Sequence, residues 1–212
     1  IFLFTILFLG LSCGDDGEPD VTVVPEADRN EQQVIDNDSL LGYLQTHYIN
    51  SSFLINNQNI SLDEIVINSL PDDGVLPEPD VNTLLIDLVE THNTTYSETE
   101  YEYYVLKLNQ GGGENTPNFS DKVRVSYEGN LMDATVFDSS YSPADFDLTA
   151  TIAGWGRVLP EFNNAIDFNV NGDGTITFND PGIGVMFLPS GLGYYSSAAG
   201  SVPVYSNLIF KF

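Results

Sequence analysis

The chain has 212 residues, of which 31 are acidic and 6 basic, for a formal charge of -25. That balance repels phosphate backbones and anionic headgroups, which excludes a nucleic-acid role and suits solubility in a salty extracytoplasmic medium. A composition of 42% hydrophobic and 12% aromatic residues is that of a globular protein, and 18 Gly with 11 Pro spread along it predict many turns and short strands.

The run from Ile1 to Leu9 is apolar except for Thr5 and ends in Gly10-Leu11-Ser12-Cys13-Gly14-Asp15-Asp16. It is too short to span a membrane but has the length of a secretion signal's apolar core. It resembles a lipoprotein signal peptide, in which small residues precede a lipidated Cys, so residues 1–13 are expected to be a partial signal with Cys13 as the lipid-bearing residue. Two acyl chains on such a Cys give an attachment that one chain does not. The expected location is the bacterial cell envelope, lipid-anchored to the outer membrane, on its periplasmic or surface face. Acidic residues directly behind the Cys resemble the surface-export tags of some envelope lipoproteins. Cys13 is the sole cysteine, which excludes an intramolecular disulfide and a multi-Cys metal site.

Residues 14–37 are acidic and poor in periodic apolar residues and read as a tether. From Asp38 the pattern changes: Asp38 or Ser39 caps an expected helix whose Leu40, Leu41, Leu44 and Tyr48 share a face. His47 reads as packed or surface-lying and His92 as a loop residue. Leu62–Leu70 and Val81–Val89 are short apolar segments, strand or helix, separated by Pro71-Asp72-Asp73-Gly74. Residues 38–98 are thus expected to form a small N-terminal module, separate or packed on the main domain.

Tyr101–Leu108 has strand character and is closed by Gly111-Gly112-Gly113, so the second domain is taken as 99–212. Val123, Val125 and Tyr127 alternate with Arg124 and Ser126, the period-two pattern of a half-buried strand. Further strands are expected at Val136-Phe137 and Leu208–Phe212.

Several motifs in this half occur in a familiar order. Val123-Arg-Val-Ser-Tyr127-Glu-Gly129 is similar to V-x-V-x-Y-x-G, and Phe137-Asp138-Ser139-Ser140 to F-D-S-S. Ile152-Ala-Gly154-Trp155 is similar to I-x-G-W, Pro189-Ser-Gly-Leu192-Gly-Tyr194 to P-x-x-L-x-Y, and Val202-Pro203 followed by Phe210 to I-P…L-x-F. Together they resemble the FKBP-type peptidyl-prolyl cis-trans isomerases over about half the chain. The resemblance implies an α+β fold, a bent antiparallel sheet wrapped around a short helix after Trp155. It implies a pocket in which Trp155 floors the proline ring and Phe137, Phe146 and Phe210 are walls, with Tyr127 and Val202 also lining it. Ile152 would donate its backbone N–H, Tyr194 would bond a substrate carbonyl, and Asp138 would orient the pocket or polarise the twisted amide. Asp138, Tyr194 and Trp155 are the implied catalytic residues. The stretch from Asp138 to Ile152 is shorter than the family's and offers Asp138 no basic partner, and Tyr195 stands where the family often has Gly.

Rotating an X-Pro amide breaks its resonance, and the uncatalysed step takes tens to hundreds of seconds. An apolar, aromatic pocket is a poor host for a planar polar amide and favours the twisted state, which is differential binding. No nucleophile, metal or cofactor is needed, and the expected partners are X-Pro-containing polypeptides. The other reading of the same cleft is a non-catalytic module that binds a proline-containing partner.

An insertion at about 163–184 contains Asn169-Val-Asn171-Gly-Asp173-Gly174-Thr-Ile176-Thr-Phe-Asn-Asp180. Oxygen donors at its positions 1, 3, 5 and 12 match an EF-hand calcium loop. The preferred reading is a β-hairpin turning at Asn-Gly-Asp-Gly, since no flanking helices are evident.

Overall fold

The computed structural model describes residues 26–212; the expected signal peptide, Cys13 and the tether as far as Pro25 lie outside the described residues. The first element, α1, is Arg29–Thr46. Asp28 caps it, its carboxylate accepting the N–H groups of Asn30 and Glu31 at 2.9 and 3.1 Å. The helix therefore starts nine residues before the expected Asp38 and takes in the last nine residues of the expected tether. Its buried face explains the difference: Gln33 and Asp36 precede Leu40, Tyr43 and Leu44, so the first turns bury polar groups that hydrophobic periodicity does not register.

Short pieces follow: β1 (His47–Ile49), α2 (Ser51–Leu54), β2 (Asn68–Ser69) and β3 (Thr83–Leu84). The strands form a small antiparallel sheet in the order β2-β1-β3. Leu62–Glu64 and Leu85–Asp87 are single 3-10 turns, so the two apolar segments are each part turn, part strand.

The main sheet comprises β4 (Glu90–Tyr96), β5 (Thr99–Asn109), β6 (Lys122–Asn130), β7 (Val136–Asp147), β10 (Ile183–Leu188) and β11 (Leu208–Lys211). Between β7 and β10 lie α3 (Trp155–Val158) and a hairpin of β8 (Asp167–Val170) and β9 (Ile176–Asn179). The strand order is β4-β5-β10-β11-β6-β7, antiparallel throughout. A boundary at 98/99 would cut the β4–β5 hairpin; His92 lies in β4 opposite Tyr103, not in a loop. The Thr- and Asn-rich sequence of β4 is that of an edge strand with mostly exposed side chains.

β5 and β10 are buried on both faces. Tyr101, Tyr103, Val105, Met186 and Leu188 face a core that includes α3, whereas Tyr104, Leu106, Leu108, Val185 and Phe187 face one that includes Leu40, Leu44, Ile49 and Leu85. The N-terminal elements therefore cover the back of the sheet. A substitution such as Leu44→Ala in that layer costs about 2–5 kcal/mol, because the gap closes only partly.

Candidate active site

The four residues of α3 are too few to be stable alone and are held by packing. Gly154 donates its N–H to the Leu192 carbonyl at 2.9 Å, which ties the start of α3 to the segment after β10. Trp155 is thereby placed against the face of the sheet that carries Tyr101, Tyr103 and Met186, 3% exposed. Its ring centroid lies 5.0 Å from Phe210, 5.2 Å from Phe146 and 5.9 Å from Tyr127. Phe137 stands edge-on to Phe210 at 5.4 Å. These tilted and T-shaped contacts are the preferred aromatic geometry, worth about 0.5–1.5 kcal/mol per pair beyond area burial.

Strand pairing sets the walls. β6 pairs with β7 so that Val123 faces Phe146 and Gly129 faces Asp138, while Gly129 also faces Phe210 of β11. Gly129 leaves room for both rings, since a Cβ there would stand 2.7 Å from Phe137 Cζ and 2.8 Å from Phe210 Cε1 and would force them to shift. Phe137, Phe146, Ile152 and Tyr194 are half-buried around Trp155, and Val202 is buried at 2% exposure. The structure thus brings all nine sequence-implied pocket residues to one site.

The polar groups sit at its rim. Tyr127 Oη donates to Asp138 Oδ2 at 2.7 Å, which leaves Oδ1 without a donor among the described residues. Burial, reinforced by the Asp138 carboxylate, pushes the Tyr127 hydroxyl up to about 12. The Tyr194 hydroxyl is also raised, first by burial and then by the Asp138 charge, and it has no hydrogen-bond partner among the described residues. The N–H of Ile152 likewise meets no acceptor there, although the Ile152 carbonyl receives the Trp155 N–H at 3.2 Å. An aromatic floor bordered by two free donors and a carboxylate oxygen can grip an extended peptide without any bond-making group.

Tyr195 does not narrow the cleft as its bulk suggests. At φ +52° its side chain turns to the N-terminal helix, under the Arg29 guanidinium at 3.8 Å and edge-on to Tyr205, with its hydroxyl donating to the Ala27 carbonyl at 2.5 Å. Left-handed backbone is strained for Tyr and free for Gly, which accounts for a glycine preference at such a position. Two aromatics of this core were not singled out in the sequence: Phe212, 5.7 Å from Trp155, and Phe162, 5.1 Å from Phe212. Phe212 was legible, being two residues beyond Phe210 on the same strand face.

The insertion is the β8–β9 hairpin. Asn171 donates its N–H to the Thr175 carbonyl and receives that of Gly174, closing the turn at 2.8 and 2.9 Å. The four oxygen-bearing side chains of the calcium reading do not converge: Asp173 accepts from Thr175 at the tip, while Asp180 accepts from Asn109 at the base. Glu90, His92 and Glu161 also cluster, with ligand-type atoms within 4.8 Å of one another. Their carboxylates address opposite ring nitrogens, Glu161 at Nδ1 (3.2 Å) and Glu90 at Nε2 (3.5 Å), and the Lys107 ammonium lies 2.9 Å from Glu90. That is the geometry of an ion-pair network, not of ligands converging on one ion.

A hollow of about 940 Å³ lies elsewhere, between β6, the start of β10 and the hairpin, with Val123, Val125, Phe162, Phe178 and Ile183 among its walls. It is a slot in the sheet: β11 pairs with β6 only over Glu128–Asn130, and Lys122–Tyr127 have no strand on that side among the described residues. None of the nine pocket residues lines it.

The chain is similar to known proteins over this region. Residues 113–179 match the family described as FKBP-type peptidyl-prolyl cis-trans isomerase. The chain is 46% identical over 61 residues to the peptidyl-prolyl cis-trans isomerase Mip of Coxiella burnetii, an alignment covering 27% of this chain and 25% of that protein. It is 35% identical over 119 residues to the FKBP-type 22 kDa peptidyl-prolyl cis-trans isomerase of Escherichia coli, covering 54% and 50%. Among solved structures, FkpA from Escherichia coli aligns with a TM-score of 0.43 at 27% identity, covering 57% of this chain and 49% of that one. The chain spans between a quarter and a half of the length of these two curated relatives.

Proposed function

We propose that this chain, which carries an FKBP-type domain, is a peptidyl-prolyl cis-trans isomerase that assists the folding of exported proteins. The observation that carries the reading is the pair of donors, Tyr194 Oη and the Ile152 N–H, without partners among the described residues, on residues packed against the aromatic cluster of Trp155. An extended X-Pro segment offers carbonyls to both while its proline ring lies over Trp155. In the twisted amide the nitrogen regains its lone pair and the carbonyl loses conjugation, so an apolar surround destabilises the planar form more than the twisted one. Asp138, held by Tyr127, presents its free oxygen to the altered amide dipole, and Phe137, Phe146, Phe210, Tyr127 and Val202 exclude water.

The test is cis-to-trans conversion of short X-Pro peptides by the chain with Cys13→Ala, beside Asp138→Ala and Tyr194→Phe variants shown to be folded. Conversion faster than in buffer and reduced in both variants supports the isomerase. A folded protein that binds such peptides without accelerating them supports the second reading, a binding module.

Attachment to the bacterial outer membrane through lipid on Cys13 belongs to the same proposal and is supported by the apolar run before that residue. Metabolic labelling with a radioactive fatty acid tests it: label on the wild type that vanishes in Cys13→Ala is expected, and equal labelling of both removes the idea.

A further inference from the structure

A buried carboxylate far from the aromatic site in sequence bonds to the segment that carries Tyr194. Asp36 lies in the middle of α1 and is 2% exposed, with no ion pair to a cationic side chain among the described residues. Its Oδ2 accepts both the backbone N–H of Ser190 at 2.8 Å and the Ser190 hydroxyl at 2.6 Å, and its Oδ1 accepts Gln32 Nε2 at 2.8 Å. Its backbone carbonyl accepts Asn207 Nδ2 at 3.0 Å.

Ser190 and Asn207 bracket the excursion from β10 to β11, which carries Tyr194 and Val202. Ser190 begins a 3-10 turn, Ser190–Leu192, and its carbonyl receives the N–H of Gly193 at 2.9 Å and of Tyr195 at 3.0 Å. The Leu192 carbonyl receives the Gly154 N–H, next to Trp155. One residue of the N-terminal helix therefore grips both ends of the excursion and connects through a single turn to Gly154, beside Trp155, and to Tyr195, beside Tyr194. Arg29 over Tyr195 and the Tyr195 hydroxyl on the Ala27 carbonyl add a second clamp, from the first residue of the same helix and the segment just before it. An unneutralised carboxylate in such a place costs several kcal/mol of desolvation, offset only through the donors it receives.

We propose that Asp36 is a positioning residue of the isomerase site: it fixes Ser190–Tyr195 so that the Tyr194 hydroxyl faces the substrate. The inference rests on the function proposed above. It also gives the N-terminal layer a task in the site, beyond covering the sheet.

The test compares the full chain with Asp36→Leu, close in volume but without acceptors, and Asp36→Asn, whose Oδ1 still takes both Ser190 donors once Gln32 turns its amide. Amide hydrogen exchange and peptide kinetics are both read. In Asp36→Leu the amides of Gly193 and Tyr195 are expected to exchange about tenfold faster while those of β5 hold their rates, and KM to rise about tenfold with kcat within threefold, the scale of one hydrogen bond to a charged group. Asp36→Asn is expected to restore both. If Asp36→Leu does not fold, Ser190→Ala, which removes only the hydroxyl bond, is expected to give a smaller loosening of the same two amides. The proposal is overturned by unchanged exchange at Gly193 and Tyr195, by exchange that rises equally across the sheet, or by failure of Asn to rescue. A wild-type chain that accelerates no peptide would remove the isomerase function, and the exchange arm would still decide whether Asp36 holds the segment.

Discussion

The hydroxyl of Tyr127 and the carboxylate of Asp138 meet at 2.7 Å across the paired strands β6 and β7, where they stand in place of the ion pair that the sequence around Asp138 does not offer. Arg124, the basic residue nearest in sequence on β6, is taken by Asp145 at 2.6 Å. Asp138 is thus oriented by a neutral donor.

Tyr127→Phe keeps the ring and removes that donor. The expected outcome is a folded protein destabilised by about 1 kcal/mol, the usual net worth of a hydrogen bond, and a kcat/KM lowered about three- to tenfold because Asp138 is free to turn. Denaturant titration and peptide assay check it; an unchanged kcat/KM would mean that Asp138 needs no orienting. With the Tyr127 hydroxyl pushed up to about 12, activity should not fall through its ionisation between pH 7 and 10.

Gly129→Ala places a methyl against Phe137 and Phe210, at 2.7 and 2.8 Å from their nearest atoms. The rings must shift, at an expected cost of about 1–3 kcal/mol as for other overpacked cores. Peptide affinity should fall together with melting temperature, and a variant that keeps both would show that the two walls are not packed as described.

Asp36 makes a prediction about pH. Burial raises its carboxyl above the usual 3.8 more than the hydrogen bonds of Ser190 and Gln32 lower it. The folded chain therefore holds this proton more tightly than the unfolded chain, so the group's stabilising share is complete in acid, below the unfolded value, and is lost as pH rises through the raised folded value. The melting temperature of the wild type minus that of Asp36→Asn should be largest in acid and shrink towards neutrality. A difference that grows with pH would contradict the assignment.

Glu128 runs the opposite way. Burial pushes its carboxyl up, and Lys211 at 2.8 Å with Tyr141 at 2.6 Å more than offsets this, so it is held below the usual range. Its stabilising share is present at neutral pH and lost as pH falls through the lowered value, so Glu128→Gln should narrow the gap in melting temperature to the wild type as the solution is acidified. A gap that widens in acid would show that the Lys211 contact does not hold the charge.

What the sequence displayed depended on whether a residue's reason for being in place was local. Val123, Val125 and Tyr127 alternate because β6 is half-buried, and the motif from Ile152 to Trp155 marks its own turn, so the candidate pocket was legible residue by residue. The first turns of α1 were not, because Asp36 is buried by a partner, Ser190, that lies 154 residues away. The segment from Arg29 to Asn37 therefore has the composition of a tether and the structure of a helix. His92 was missed for a related reason: β4 is a polar edge strand whose assignment rests on pairing with β5. Tyr195 shows the limit of bulk as a guide, since its backbone conformation, not its size, decides where the ring goes.

Trp155 is the single tryptophan, so its emission reports on the floor of the proposed cleft without interference. The most direct test is to measure by NMR the exchange between cis and trans forms of an Ala-Pro peptide with substoichiometric protein, while following Trp155 fluorescence on the same samples. The account predicts exchange well above the buffer rate with a saturable change in emission, both lost in a folded Asp138→Ala Tyr194→Phe double variant. Exchange at the buffer rate despite saturable binding would contradict it and leave a proline-binding domain without isomerase activity.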